Sequence, residues 1–260
     1  MSAGHAGTLS ARYIAGASPV HRLAPQVKLV GVLTFALVVV ATPVEAAWAP
    51  AVYAGDLLLV LGVAAVAGVA PARLARGLVV EVPFVAFAVL LPFVARGPRV
   101  EVFGLSLSEN GLATGGGILA KATIAVLAAT VLAATTEPRE LLRGLERLRL
   151  PQLLVQILMF MIRYADVVGG ELQRMRVARE SRGFRSGGLR GLRVMAATAG
   201  ALFVRSYERG ERVHLAMLSR GYGGRLPTGP AAAVDPRAWA VALTLPLAAA
   251  AVLLAGMLLG

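Results

Sequence analysis

The chain has 260 residues, of which 57% are hydrophobic and 6% aromatic, with 29 glycines, no cysteine and a formal net charge of +12. The hydrophobic share exceeds the roughly 45–50% typical of soluble domains and excludes that class, and the lack of cysteine excludes disulfides, iron–sulfur clusters and thiol catalysis. Many small and few aromatic residues favour close-packed helices over a membrane barrel, so we predict an all-α integral membrane protein.

Five apolar stretches approach the roughly 20 residues that a membrane-spanning helix needs. Residues 1–25 lack the uninterrupted apolar run of a cleaved signal and are expected to form a cytoplasmic tail of the mature protein. Residues 26–135 are expected to hold four spans, and residues 226–260 a linker and the fifth span. In chain order the predicted spans are Gln26–Thr42, Trp48–Ala70, Leu78–Ala95, Gly111–Ala134 and Arg237–Gly260.

The basic residues of the loops predict the orientation of the chain. Arg12 and Arg22 lie in the tail, and Arg73 and Arg76 follow the second span, whereas the loop after the first span carries only Glu45. Because basic residues mark cytoplasmic loops, the N-terminus is expected inside. The expected location is the plasma (inner) membrane, crossed several times and in contact with its lipids.

Three ionisable residues fall within the predicted spans, where a buried charge costs at least about 2.5 kcal/mol. Glu81 is near the cytoplasmic end of its span and is expected to reach the headgroups. Asp56 and Lys121 lie at similar depths, counted along their helices at about 1.5 Å per residue. We therefore predict an intramembrane charge pair between Asp56 and Lys121, with a structural or a functional role.

Residues 136–225 form the long polar region and are predicted to be a cytoplasmic module. Between Glu137 and Arg225 there are 17 arginines and 8 acidic residues, which give +9 of the net charge. A short amphipathic helix is expected from Pro138, a second helix from Pro151 with an apolar first half against the bilayer, and a third ending near Arg220. Because this charge belongs to a membrane protein, we expect no nucleic-acid partner.

Glycines interrupt both long helices of this module. Each glycine in a helix costs about 1 kcal/mol relative to alanine, and a missing Cβ lets two backbones approach closely. We therefore predict that the two helices cross at Gly169, Gly170 and Gly210.

Two eight-residue stretches of the module, Val177–Phe184 and Leu215–Tyr222, share the pattern Ala-x-x-Ser-Arg-Gly-aromatic. One explanation is that each arginine complements a helix dipole while the glycine supplies a left-handed helix end. The other is docking, because a planar guanidinium binds carboxylates and carbonyls through several hydrogen bonds. Two copies at neighbouring helix ends would fit a two-fold partner through Ser181, Arg182, Gly183, Ser219, Arg220 and Gly221.

The sequence shows no catalytic, metal or nucleotide motif. His5, His21 and His214 are scattered and have no second His or acid three or four residues later. The run from Gly115 to Gly117 is not followed by the Lys-Ser/Thr of a phosphate loop and is typical of helix packing. We expect no cofactor, no metal and no catalytic residue in this chain.

At these motifs the chain resembles the transmembrane T components of energy-coupling factor (ECF) transporters, most closely their cobalt-type, CbiQ-like branch. The resemblance is carried by Arg163-Tyr164, Ala178–Phe184 and Phe203–Tyr222, with further support from His21–Lys28 and Lys121. The family commonly has alanine where this chain has Ser181 and Ser219.

The resemblance implies a non-catalytic coupling subunit. The arginine at each tip, Arg182 and Arg220, would dock in one of two ATPase subunits, which bind the ATP. A separate membrane subunit would bind the substrate, here cobalt (Co²⁺). Three alternatives remain open: a T component that serves vitamin-binding subunits, a membrane-embedded enzyme acting on lipids and a channel.

Overall fold

The computed structural model describes residues 13–102, 104–183, 188–224 and 235–259. His5, Arg12, Phe184 and most of the linker before the last helix lie outside the described residues. Proline stands in the first turn of many of the helices, where it costs no hydrogen bond and fixes φ in the helical range. The helices are α1 Pro19–Arg22, α2 Pro25–Ala41, α3 Ala49–Val66, α4 Pro71–Gly77, α5 Val82–Val94, α6 Glu109–Thr135, α7 Pro138–Arg147, α8 Gln152–Glu180, α9 Gly188–Leu218 and α10 Pro236–Leu259.

The fold is helical, as predicted, and is that of a multi-pass membrane protein. Five helical segments are long and apolar enough to span a membrane: Ala49–Val66, Pro71–Val94, Glu109–Thr135, Gln152–Glu180 and Pro236–Leu258. This set includes α8, which we assigned to the cytoplasm, because its first half is almost wholly apolar. It leaves out α2, our first predicted span, because α2 has only 17 residues.

A two-stranded hairpin stands in the loop between the third and fourth predicted spans, where the sequence analysis predicted no strand. Strands β1 (Arg99–Val102) and β2 (Leu105–Ser108) pair antiparallel, with Arg99 opposite Ser108. Gly104 has a φ of +80°, a left-handed conformation that suits the tight turn between the strands. The hairpin is a small departure from the all-α prediction.

The described residues divide into two compact units, one within 13–144 and 235–259 and the other within 145–183 and 188–224. The first unit is a helical bundle with an apolar core in which Phe35, Val60, Ile124 and Ala249 are almost fully buried. It includes α7, whose Leu142 and Gly144 are buried. The functional limits 136–225 of the predicted module stay a prediction.

Glycines allow the closest helix contacts of the bundle. A Cβ on Gly115 would lie 2.6 Å from the carbonyl oxygen of Ala88, and one on Gly111 would lie 2.7 Å from the Cα of Pro92, so α6 touches the backbone of α5 at both glycines. Their four-residue spacing is the small-x-x-x-small pattern of membrane helix interfaces. The prediction that the Gly115–Gly117 run serves packing is confirmed at Gly115, while the space beside Gly116 is open.

Within the second unit, α8 and α9 run antiparallel. Arg179 near the end of α8 donates to Thr198 Oγ1 in the first half of α9 at 2.9 Å. Tyr222, just after α9, donates to Gln156 Oε1 in the first turns of α8, also at 2.9 Å. Residues late in α8 therefore contact residues early in α9, and residues early in α8 contact the end of α9, as in an antiparallel pair.

Candidate functional site

The repeated motif has the same local structure in both copies. The Ser181 and Ser219 hydroxyls donate to the carbonyl oxygen three residues earlier, at 3.1 and 3.0 Å. Gly183 and Gly221 have φ values of +75° and +81°, in the left-handed region where glycine is favoured. The sequence repeat therefore encodes one helix-ending structure twice.

This ending explains the glycine of each motif but not the arginine. At the end of α9, the left-handed Gly221 turns the chain so that the Tyr222 N–H donates back to the Met217 carbonyl at 3.0 Å. That bond is characteristic of the Schellman motif, which uses the backbone alone. The arginine before each glycine is therefore available for another role.

The two tip arginines are exposed and have no partner among the residues that the structure describes. Ser181, Arg182, Gly183, Ser219, Arg220 and Gly221 are all exposed, and neither tip guanidinium forms an ion pair or a hydrogen bond with a described residue. Several other arginines of α8 and α9 do form such contacts: Arg176 with Glu180, Arg205 and Arg209 with Glu171, and Arg212 with Glu208. The tips thus present planar, multidentate donors to solvent.

The two motifs lie at opposite ends of the antiparallel pair, which corrects our expectation of neighbouring ends. Arg182 follows Arg179, which bonds to Thr198 of α9, while Tyr222, two residues after Arg220, bonds to Gln156 near the start of α8. The 22-residue interval from Thr198 to Arg220 corresponds to about 33 Å at about 1.5 Å per residue. The two arginines are therefore separated by a distance of that order.

The glycines that we expected at a helix crossing do not make a close approach. Cβ atoms built on Gly169 and Gly210 would meet nothing within 4 Å, and one on Gly170 would meet only Arg174 of its own helix. Side chains hold α8 and α9 together instead: Glu171 of α8 accepts hydrogen bonds from Arg205 and Arg209 of α9 at 2.9 and 3.3 Å. The sequence did not single out Glu171, because its partners lie more than 30 residues away and follow no local spacing.

The predicted pair of Asp56 and Lys121 does not form. Lys121 Nζ donates to the Val40 carbonyl oxygen of α2 at 2.9 Å, whereas both carboxyl oxygens of Asp56 are buried and have no hydrogen-bond partner among the described residues. Counting residues along the two helices predicts the depth of each group in the membrane, but it does not predict the side of the helix on which each side chain lies. Glu81 also differs from expectation: it is buried and accepts a hydrogen bond from Thr123 of α6.

Lys28 is a structural residue whose role the sequence did not predict. Its side chain is buried, and Nζ donates to the carbonyl oxygens of His21 and Thr135 and to Thr136 Oγ1, at 3.2, 2.9 and 3.1 Å. The Thr135 carbonyl belongs to the last turn of α6, whose carbonyl oxygens have no N–H donor within the helix. Lys28 therefore joins the segment before α2 to the end of α6.

The described residues contain no group of three or more His, Cys, Asp or Glu side chains that could hold a metal ion. His21, the one described histidine of the first unit, has its ring within 2.7 Å of Ser18 Oγ and 3.1 Å of the Ile14 carbonyl oxygen. Those contacts give it a structural role beside Lys28.

Comparison with known proteins agrees with the motifs. Residues 16–229 match the family described as CbiQ, cobalt transport protein. The chain is 32% identical to the cobalt transport protein CbiQ of Rhodobacter capsulatus, over 67% of this chain and 73% of that protein. It is 29% identical to the energy-coupling factor transporter transmembrane protein EcfT of Bacillus subtilis, over 82% and 84% of the two chains.

A further relative is an uncharacterized protein of Methanocaldococcus jannaschii. The two chains are 31% identical, and the match covers 49% of this chain and only 48% of that protein. The family match, by contrast, extends from before α1 to beyond the second arginine motif. The chain therefore belongs to the CbiQ family of cobalt transport proteins.

Proposed function

We propose that this chain is the transmembrane coupling subunit of an ECF-type importer. The observation that carries the proposal is the pair of exposed, unpartnered arginines, Arg182 and Arg220, on identical helix endings. The same role is supported by a relative named as an energy-coupling factor transporter transmembrane protein, which matches this chain over more than four fifths of both sequences. The chain needs no reactive group for it.

The separation of the arginines suits a dimeric motor. Two tips about 33 Å apart, by the number of helical residues between them, each contact a different ATPase subunit rather than one shared groove. Closure of the ATP-bound dimer then moves both tips. The contacts between α8 and α9, centred on Glu171 with Arg205 and Arg209, carry that movement as one body to a separate substrate-binding membrane subunit.

In this proposal the N-terminus and residues 136–225 face the cytoplasm, where the ATPases are. The apolar first half of α8 lies against the bilayer and its charged second half lies in water. The proposed cargo is Co²⁺, because the family and the Rhodobacter capsulatus relative are both described as cobalt transport proteins. A vitamin carried by another substrate-binding subunit is the alternative, and identification of the co-purified subunit distinguishes the two.

The test is a double charge reversal, Arg182→Glu with Arg220→Glu. We expect co-purification of the ATPase subunits and ATP-driven ⁵⁷Co²⁺ uptake both to fall at least about tenfold, because a lost charge-assisted contact removes about 1.5–3 kcal/mol at each tip. Membrane insertion is expected to remain. Each single reversal should have an intermediate effect, since each tip contacts its own subunit.

The matched control is Arg176→Glu with Arg212→Glu, which changes the charge of the same two helices by the same amount. Those arginines pair with Glu180 and Glu208 one turn away, and such exposed pairs contribute only about 0.2–1 kcal/mol. The control should retain its ATPase subunits. Normal assembly of the tip variant would reject the docking role.

A further inference from the structure

An apolar groove opens at one end of the helical bundle, separate from the arginine motifs. Its volume is about 210 Å³, which is below the roughly 300–1,000 Å³ of sites that enclose whole small ligands. Fifteen residues line it, twelve of them apolar or glycine: Pro19, Val20, Leu23, Gly31, Val32, Val63, Val66, Val131, Leu132, Val241, Ala242 and Leu245. A chain of methylene groups suits such a lining better than a polar molecule does.

The position of the groove follows from the helix ends that form it. It lies at the start of α2 and α10 and at the end of α3 and α6. α2, α6 and α10 each contribute just over one turn, which is about 6 Å of depth at about 1.5 Å per residue. The basic residues of the N-terminal tail indicate that this end of the bundle faces the cytoplasm. The groove therefore lies at the level of the inner leaflet.

The floor of the groove is closed, and the one charged side chain among the groove's lining residues, Lys28, already has hydrogen-bond acceptors. A Cβ on Gly31 would lie 2.9 Å from the Ala242 carbonyl oxygen, so α2 and α10 are in backbone contact there. Lys28 lines the groove, but its ammonium already donates to three oxygens. The inner part therefore offers apolar contact and no free donor.

Two arginines flank the groove on its cytoplasmic side. Arg22 precedes the lining residue Leu23, and Arg237 lies one helical turn before the lining residue Val241. Both are exposed, and neither guanidinium forms an ion pair or a hydrogen bond with a described residue. The nearest acid in sequence, Asp235, accepts a hydrogen bond from the Arg237 backbone N–H at 2.9 Å and so caps α10. Cationic donors next to an apolar groove at a membrane surface match an anionic lipid headgroup.

We propose that this groove binds an anionic phospholipid of the inner leaflet. One acyl chain enters the groove, and the phosphate of its headgroup contacts Arg22 and Arg237. The lipid would join α1 to the beginning of α10. This proposal does not depend on the coupling function.

The test measures lipid retained by the full-length chain purified in detergent. By native mass spectrometry with added phosphatidylglycerol or phosphatidylcholine of identical acyl chains, we expect one tightly held lipid and a preference for phosphatidylglycerol. Since a basic residue near an anionic surface contributes about fivefold in affinity, Arg22→Gln with Arg237→Gln should reduce this preference on the order of 25-fold. Val241→Trp, which fills the groove from an exposed position, should abolish retention of phosphatidylglycerol and of phosphatidylcholine alike.

Two controls separate the site from general membrane charge and from misfolding. Arg76→Gln with Arg139→Gln removes two exposed arginines that do not adjoin the groove, and Leu58→Trp adds a bulky side chain on the lipid-facing side of α3; both should bind lipid as the wild type does. If Val241→Trp unfolds, Thr244→Trp replaces it. Equal retention by wild type and groove variants would overturn the proposal, as would cross-linking of Val241→Cys to another membrane subunit in a complex that lacks the lipid.

Discussion

At the residue scale, Lys28 shows how a buried charge becomes a structural element. Its ammonium has three oxygen acceptors, two of them at the end of α6. At the end of a buried helix, the last carbonyl oxygens have no N–H donor within the helix and need a donor from elsewhere. Lys28 does this with a positive charge, which is also the sign that a helix C-terminus favours.

Replacement of Lys28 by methionine should therefore destabilise the bundle. The change keeps the apolar stem but leaves buried carbonyls without donors, at about 1–3 kcal/mol for each unsatisfied group. Lys121→Met is the matched control, because Lys121 is also within a span but donates to one acceptor among the described residues, the Val40 carbonyl oxygen. Unfolding by denaturing detergent should show a loss of at least about 3 kcal/mol for Lys28→Met and a clearly smaller one for the control. Equal losses would contradict the structural role of Lys28.

Asp56 gives the opposite prediction. Its side chain is fully buried and both oxygens lack a partner, so an ionised carboxylate there has no compensation for its desolvation. Asp56→Asn, which keeps the shape without the charge, should leave the free energy of unfolding unchanged or higher in the same assay. A loss of about 2 kcal/mol or more, the range for breaking a buried polar contact, would show that the carboxylate has a partner.

These residues also show what the sequence could predict at this scale. Counting along the spans found the intramembrane charges and their depths, but depth does not fix the direction in which a side chain leaves its helix. Lys121 therefore turned out to bond to α2 rather than to Asp56. The exposure of Arg182 and Arg220 was expected from their place at polar helix ends, whereas the contacts of Glu171 join residues far apart in the sequence.

At the scale of elements, the apolar runs and the prolines predicted the helices well. The hairpin Arg99–Ser108 was missed because its strands have only four residues each, too few for a clear alternation. Glycine patterns were informative only in part. Gly115 marks a close contact, while Gly169 and Gly210 face open space and Gly170 lies beside only Arg174 of its own helix, since the sequence does not say which side of a helix meets a neighbour.

The α5–α6 contact can be tested at adjacent glycines. Gly115→Val should disrupt it, because a Cβ would lie 2.6 Å from the Ala88 carbonyl oxygen and backbone atoms cannot move aside easily. We expect a loss of about 1–3 kcal/mol or more, as for overpacked cores, measured by detergent unfolding. Gly116→Val makes the same chemical change beside open space and should be almost neutral. If both variants behaved alike, the loss would reflect helix propensity or flexibility rather than contact.

At the scale of the whole molecule, the chain combines a glycine-packed bundle with an extended helical pair. The bundle unit has the buried apolar core, whereas α8 and α9 expose large apolar side chains such as Met161, Phe203, Val204 and Leu215. Isolated soluble proteins rarely expose so much apolar surface unless a partner or a membrane covers it. A membrane or a partner is therefore expected to cover this surface, as the proposed coupling role requires.

The antiparallel arrangement of α8 and α9 can be measured directly because the chain has no cysteine. In membranes, Arg179→Cys with Thr198→Cys should be joined by a short bis-maleimide, since these side chains are in hydrogen-bond contact. Arg182→Cys with Arg220→Cys should not be joined, because the helix between the tips separates them by about 33 Å. Each single-cysteine variant controls for links between two copies of the chain. Efficient cross-linking of the tip pair would place the arginines side by side and exclude docking to two separate ATPase subunits at opposite ends of the pair.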